Sequence, residues 1–190
     1  MEVVGGIIGA FGLSASAGLN AYIPLLVVAL LAKFTPLLNL NGRWEALTSW
    51  WTIGILAVLA VIEFVADKVP AVDHVNDAIQ TFIRPVAGAI VFAASTNAIT
   101  EVSPILSLIA GLFVAGSIHA VKSVAVRPLV TATTAGMGDP IVSFIEDILA
   151  TLVSVLSVVM PILMLIVLVL VIWWIVTWLG NRKRARAIGN

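Results

Sequence analysis

Long apolar stretches separated by short polar turns organise this chain. Residues 3–32 carry no charge and contain Gly5, Gly6, Gly9, Gly12 and Gly18. They predict a single first helix, apolar through Leu25 to Leu31, against which neighbouring backbones can pack closely. Ser16 and Asn20 stand four apart and so share one face of it. A turn segment with Pro36, Asn39, Asn41 and Gly42 follows, and Trp50 and Trp51 then open a second helix, over 48–67, at an interfacial position. Pro70 marks the next break. A third helix starts with Asp73, His74 and Asp77 and runs through Arg84, Pro85 and Gly88 to about 94. Beyond a polar turn, a fourth helix over 104–124 carries His119 and Lys122 in its last turns. A loop with Arg127, Thr131, Gly136 and Gly138 leads to Pro140, which suits the first turn of a fifth helix. Residues 141–179 as one straight helix would extend about 58 Å at about 1.5 Å per residue. The hydrocarbon core is roughly 30 Å thick, so the chain turns at Pro161, and helices five and six form a hairpin or helix five stops partway across.

Composition fixes the solvent. Of 190 residues, 61% are hydrophobic and 11% charged, against about 25% charged in ordinary globular domains. No water-facing surface can be built from this, and the fold class is all-α: a polytopic transmembrane helix bundle of about six spans. It forms one domain over 1–190 and ends in a basic tail, 181–190. The formal net charge of zero argues against a nucleic-acid partner. The one dense basic run, Arg182, Lys183, Arg184 and Arg186, reads as a cytoplasmic flank. The absence of cysteine removes disulfides and thiol chemistry. Ser14 to Ala17 resembles a signal cleavage site, but Glu2 is the only charge before Lys33, so the first helix is expected to be retained. Lys68, Lys122, Arg127 and the basic tail fall on one side in this six-span scheme, with Lys33 and Arg43 on the other. The expectation is a multi-pass protein of the cell (inner) membrane with both termini cytoplasmic.

The polar minority carries the candidate chemistry. Asp73, Asp77, Gln80 or Thr81, and Arg84 recur at three- and four-residue steps and line one face of the third helix, as Ser143, Asp147 and Thr151 do on the fifth. Such groups are costly in lipid and should point inward. Individually, Asp73, Asp77, Glu146 and Asp147 also suit the first turns of helices, where free amides favour anions. Together with Glu63, Asp67, Lys68, His74, His119, Lys122 and Arg127 they gather in one half of the bundle, as an ion-pair network able to bind a small ion or a charged head group. The expected binding residues are Asn20, Asp73, Asp77, Arg84, His119, Lys122 and Asp147, with Glu63, Asp67 and Glu146 as coupling or gating groups. His119 reads as a packing residue, and neither a metal nor a cofactor is expected. Gly136 to Pro140 either presents amides to an anion or simply reverses the chain.

Pro70-x-Val72-Asp73 through Thr81 echoes Pro140-x-Val142-Ser143 through Thr151, the kind of internal repeat that in transporters accompanies broken or half-spanning helices. Asp73-x-x-x-Asp77 has the spacing of a magnesium–pyrophosphate site, but no second aspartate-rich segment and no His-Glu-x-x-His accompany it, so an enzyme is not expected.

Three stretches carry a family resemblance: Ser14-Ala15-Ser16-Ala17-Gly18-Leu19-Asn20-Ala21-Tyr22-Ile23-Pro24; Glu63 with Ala66-Asp67-Lys68-Val69-Pro70-x-x-Asp73; and His119-x-x-Lys122-x-x-x-x-Arg127. Thr133-Thr134-Ala135-Gly136-Met137-Gly138-Asp139-Pro140-x-x-Ser143-x-x-Glu146-Asp147 extends them, and nearly the whole chain resembles the uncharacterised membrane family known as domain of unknown function 4126. The sequence departs from that pattern at Asn20, where the resemblance implies arginine in many relatives, and at Asp139, where it implies asparagine. The resemblance implies a membrane protein and names no cargo. From the residues, the expected function is a transporter or channel-like permease for a small charged or polar solute or ion. The alternatives are a lipid scramblase or lipid-carrier translocase, and a membrane structural or assembly protein. The expected partners are the lipid bilayer and the solute, with a homodimer suggested by the small size. An enclosed cavity would favour a solute, a side-facing groove a lipid, and locked charge pairs without a cavity an assembly role.

Overall fold

The computed structural model describes residues 2–40, 42–96, 103–167, 169–170, 173–174 and 177, with side chains for all of these except 2, 3, 43 and 70–74. No strand occurs among them. The helices are α1 (Glu2–Leu19), α2 (Tyr22–Phe34), α3 (Trp50–Ala66), α4 (Pro70–Ser95), α5 (Pro104–Val121), α6 (Arg127–Thr134) and α7 (Asp139–Val159). A 3-10 segment, Gly42–Thr48, precedes α3, a π-helical turn, Lys122–Val126, joins α5 to α6, and residues 161–167 are helical again. Three segments, Val75–Ser95, Pro104–Thr134 and Asp139–Val159, are long and apolar enough to cross a membrane, and the shorter apolar helices pack with them. Polarity is inverted relative to a water-soluble protein. Ile55, Val58, Val61 and Ile62 of α3 and Ile105, Ile109 and Phe113 of α5 face outward, while Ser14, Ser16, Glu63, Arg84 and Ser154 are buried. The architecture is a helical membrane bundle.

The first apolar stretch corrects the sequence reading: it is two helices, not one. Asn20 leaves the helix, and its side-chain Oδ1 accepts the Tyr22 and Ile23 amides at 3.1 and 3.0 Å, so that it caps α2. Pro24 lacks an N–H and fits in the first turn that follows. The chain reverses at this point. Lys33, at the far end of α2, donates to the Thr48 carbonyl at 2.7 Å and lies over the Trp50 ring at the start of α3, whereas Ala21 meets Glu63 near the end of α3.

Contacts along α1 set the remaining directions. Gly6 lies by the Ser95 carbonyl and Ser14 donates to the Gly88 carbonyl at 2.9 Å, so α4 runs antiparallel to α1. Ser16 donates to the Ala150 carbonyl at 2.7 Å while Gly9 lies against Ser157, so α7 is antiparallel as well. The chain turns back at Met160: Ser157 and Met164, on either side of it, both abut Gly12, and Pro161 abuts Gly5. This is the hairpin that the length of the apolar run requires. Close packing also joins α4 and α5, where a methyl group on Gly88 would overlap the Ala115 side chain, and one on Gly111 would lie 2.6 Å from the Phe92 Cβ. Small residues let these backbones approach, which is how helices associate in a medium as apolar as their own side chains.

A second correction concerns the expected loop around Arg127. The fourth helix passes through it instead, by way of the π turn, in which the Arg127 amide reaches back to the Lys122 carbonyl. That wider turn accommodates Pro128, which has no amide to donate. The helix stops only at Ala135 and Gly136, both with positive φ (52° and 83°).

Candidate functional site

The break at Asn20 opens two backbone ends inside the bundle, and each meets a charge of the matching sign. The Leu19 carbonyl, at the C-terminus of α1, accepts a hydrogen bond from Lys122 Nζ at 3.1 Å. The Ala21 amide, at the N-terminus of α2, donates to Glu63 Oε2 at 3.2 Å. A cation at a helix C-terminus and an anion at an N-terminus both complement the backbone dipoles.

From these two contacts a continuous network extends. Arg84 Nη2 lies 2.9 Å from Glu63 Oε1, with both side chains fully buried, and Arg84 also approaches Asp67 at 3.7 Å and Asp77 at 3.8 Å. Its Nη1 lies 3.0 Å from His119 Nδ1. A guanidinium can only donate, so Nδ1 accepts, and the ring proton on Nε2 is directed to Thr81 Oγ1 at 3.0 Å. The Thr81 hydroxyl in turn donates to the Asp77 backbone carbonyl at 2.8 Å. Arg127 bridges Asp67 at 3.3 Å, Asp77 at 3.2 Å and Glu146 at 3.6 Å, and Lys122 pairs with Glu146 at 2.8 Å. Asp67 further accepts from Asn76 at 2.6 Å and from Ser143 at 3.3 Å. Asp147 holds Lys68 at 2.9 Å and takes the Asn20 amide at 3.0 Å, which ties the break in the first stretch to α7.

Nine of the ten residues expected from the sequence therefore converge: Asn20, Glu63, Asp67, Asp77, Arg84, His119, Lys122, Glu146 and Asp147. The side chain of the tenth, Asp73, lies outside the described residues. Five members, Lys68, Asn76, Thr81, Arg127 and Ser143, stand outside the expected site residues, although Thr81 and Ser143 lay on the polar faces of their helices. Lys68 and Arg127 signalled only as members of a charged half, because Arg127 read as loop, and Asn76 gave no signal beyond its polarity. Among the described side chains the network joins five carboxylates (Glu63, Asp67, Asp77, Glu146, Asp147) to four cations (Lys68, Arg84, Lys122, Arg127). Two cavities lie elsewhere. One, of about 480 Å³, is lined by Lys33, Asn39, Glu45 and Thr48 at the opposite end of α2. The other, of about 390 Å³, is an apolar groove between Ile8, Phe11, Gly12, Ile118 and Met164.

A family model for a domain of unknown function, DUF4126, matches residues 7–181, a span that takes in the whole network. The chain belongs to the DUF4126 family. No curated protein and no solved structure matches it. The DUF4126 match runs from the first turns of α1 to beyond the hairpin at Met160, so the break, the ion pairs and the α1–α7 contact all belong to the matched region.

Proposed function

We propose that this DUF4126 protein is a permease for a small charged or polar solute or ion, acting at the buried network where the first apolar stretch is broken. One observation carries the reading. An interrupted helix turns its two backbone ends into the bundle, and charged side chains of other helices hold them. Interrupted helices serve transporters in this way, since their free ends can coordinate a charged solute in a medium that otherwise offers none. Paired charges are exchangeable partners: a solute that takes one member of a pair frees the other, and Asp67, shared among three cations, is the natural pivot. This is a closed arrangement, and transport requires it to open. No enzymatic step is part of the proposal.

The test is uptake into proteoliposomes across a panel of small ions and polar solutes. Saturable flux by the wild type and its loss in Asp77→Asn and Arg84→Gln is the expected result. Undiminished flux in both variants removes the assignment. A second reading, a membrane assembly protein, draws on the mutual pairing of the charges and on the two cavities lying away from them. It predicts wild-type proteoliposomes with no flux at all. The lipid-translocase reading would use the apolar groove, whose lining brings no charged side chain to a head group.

The proposal includes an orientation. With Lys68, Lys122 and Arg127 at the charged end, the positive-inside tendency supports that end facing the cytoplasm. Because α1 runs toward it from the far end, where Gly5 meets Pro161, the N-terminus lies on the opposite side. This revises the expectation that both termini are cytoplasmic, which rested on an unbroken first helix. The inner membrane, a homodimer and a parallel repeat relating α4 to α7 remain parts of the proposal.

A further inference from the structure

Three buried oxygens in or beside the network have no hydrogen-bond partner; Glu146 Oε2 is ion-paired with Lys122 at 2.8 Å, which leaves Asp77 Oδ1, 3.8 Å from Arg84, and Gln80 Oε1. These two stand three residues apart on α4, on the face that also carries Thr81 and Arg84. Gln80 is only 2% exposed, and its side chain lies beside that of Tyr22 in the first turn of α2. Asp77 is 18% exposed, more than its Arg84 partner, which is fully buried. A buried acceptor without a donor is costly, and native structures keep such groups rarely and for a reason.

What is missing is of one kind. Both oxygens are acceptors, so the absent partner is a donor. Among the described side chains of the network five carboxylates meet four cations, so a positively charged donor suits it. Two oxygens are too few for a divalent metal ion, which takes on the order of six, but they suit a group with two N–H or O–H bonds. We propose that Asp77 and Gln80 form a subsite for one small monovalent cation bearing hydrogen-bond donors, of the ammonium or hydronium kind. This rests on the permease reading and gives it a substrate or coupling class. The Asp77 carboxylate faces Arg127 of α6 at 3.2 Å and Arg84 of its own helix at 3.8 Å, while Thr81 links His119 of α5 to the Asp77 backbone carbonyl. Both guanidinium groups are shared with Asp67 of α3, while Glu63 holds Arg84 and Glu146 of α7 holds Arg127, so the bound cation meets guanidiniums whose charge is largely compensated.

The experiment reads binding, not flux, so that this subsite and the permease reading fail separately. Thermal unfolding of the purified full chain in detergent is followed with rising ammonium or methylammonium chloride, against sodium chloride at equal ionic strength, and in a parallel arm against falling pH. A saturable rise in midpoint with ammonium, absent with sodium, is expected if the ammonium kind binds; a rise with falling pH that is present in the wild type and diminished in Gln80→Leu identifies the hydronium kind. Gln80→Leu keeps the side-chain bulk and removes the orphan acceptor together with the contact to Tyr22, so its response is read against its own midpoint without ammonium. It should weaken the half-saturating concentration, or the proton response, about tenfold, the equivalent of one hydrogen bond. Equal responses to sodium and ammonium with no response to pH, or a Gln80→Leu protein that responds like the wild type, overturn the proposal. Ammonium-specific stabilisation without flux in liposomes would retain the subsite and remove the permease.

Discussion

At the scale of single residues, Arg84 is the keystone of the network. Its guanidinium is fully buried and touches Glu63, Asp67, Asp77 and His119, groups from three helices. Removing one member of such a pair leaves the other charge buried and uncompensated, at a cost of about 3–5 kcal/mol. Arg84→Met should therefore lower unfolding stability in detergent by that order, and Glu63→Leu should do likewise. The double variant should recover much of the loss, because both charges leave together; a double variant as unstable as the sum of the two singles would contradict the pairing. Asn20 acts on a smaller scale. Asn20→Ala forfeits the cap on α2 and the hydrogen bond to Asp147, and should cost about 0.5–2 kcal/mol in the same assay. The resemblance implies arginine at this position in many relatives, and in this chain an amide fills the donor role toward Asp147.

At the scale of elements, the sequence showed the helices it punctuates with proline and hid the break it does not. Pro70, Pro104 and Pro140 each stand in the first turn of a helix, as their geometry favours. The break at Asn20 was missed because residues 3–32 are uncharged throughout, so hydropathy offers no gap. The signal lay in an asparagine followed four residues later by Pro24, a helix-start pair set inside an apolar run. The helix through Arg127 was missed for the converse reason. Pro128 and three threonines signal a loop locally, and only the π turn carries the helix past them. The ionic face of α4 was legible because its three- and four-residue spacing survives intact, whereas the assignment of partners was not, since pairing depends on which helices become neighbours. Close packing of α4 on α5 yields a prediction at this scale. Gly88→Val should cost about 1–3 kcal/mol or more, because the added methyl groups overlap Ala115, read as a lower unfolding midpoint of the purified protein.

For the whole molecule, the inversion of polarity explains why so few charges suffice. An apolar exterior satisfies the bilayer, and the five carboxylates and four cations of the network shelter together at one end, each paired within protein. Along α1 the start of the chain and the charged end lie at opposite ends of the bundle, and the proposed orientation puts them on opposite sides of the membrane. Cysteines introduced at Val4 and beside Lys68 should react with an impermeant maleimide from opposite faces of the membrane; labelling of both from one face would refute that orientation.

The central claim is that the closed network must open for solute to pass, and the seam between α1 and α7 gives direct access to it. Ser16 and Ser154 touch across that seam at 2.7 Å, one turn from Asn20, and the chain has no native cysteine. In a Ser16→Cys/Ser154→Cys protein reconstituted in liposomes, oxidation should abolish solute flux and reduction should restore it. Equal flux in the oxidised and reduced protein, with the cross-link confirmed by mass spectrometry, would contradict the account.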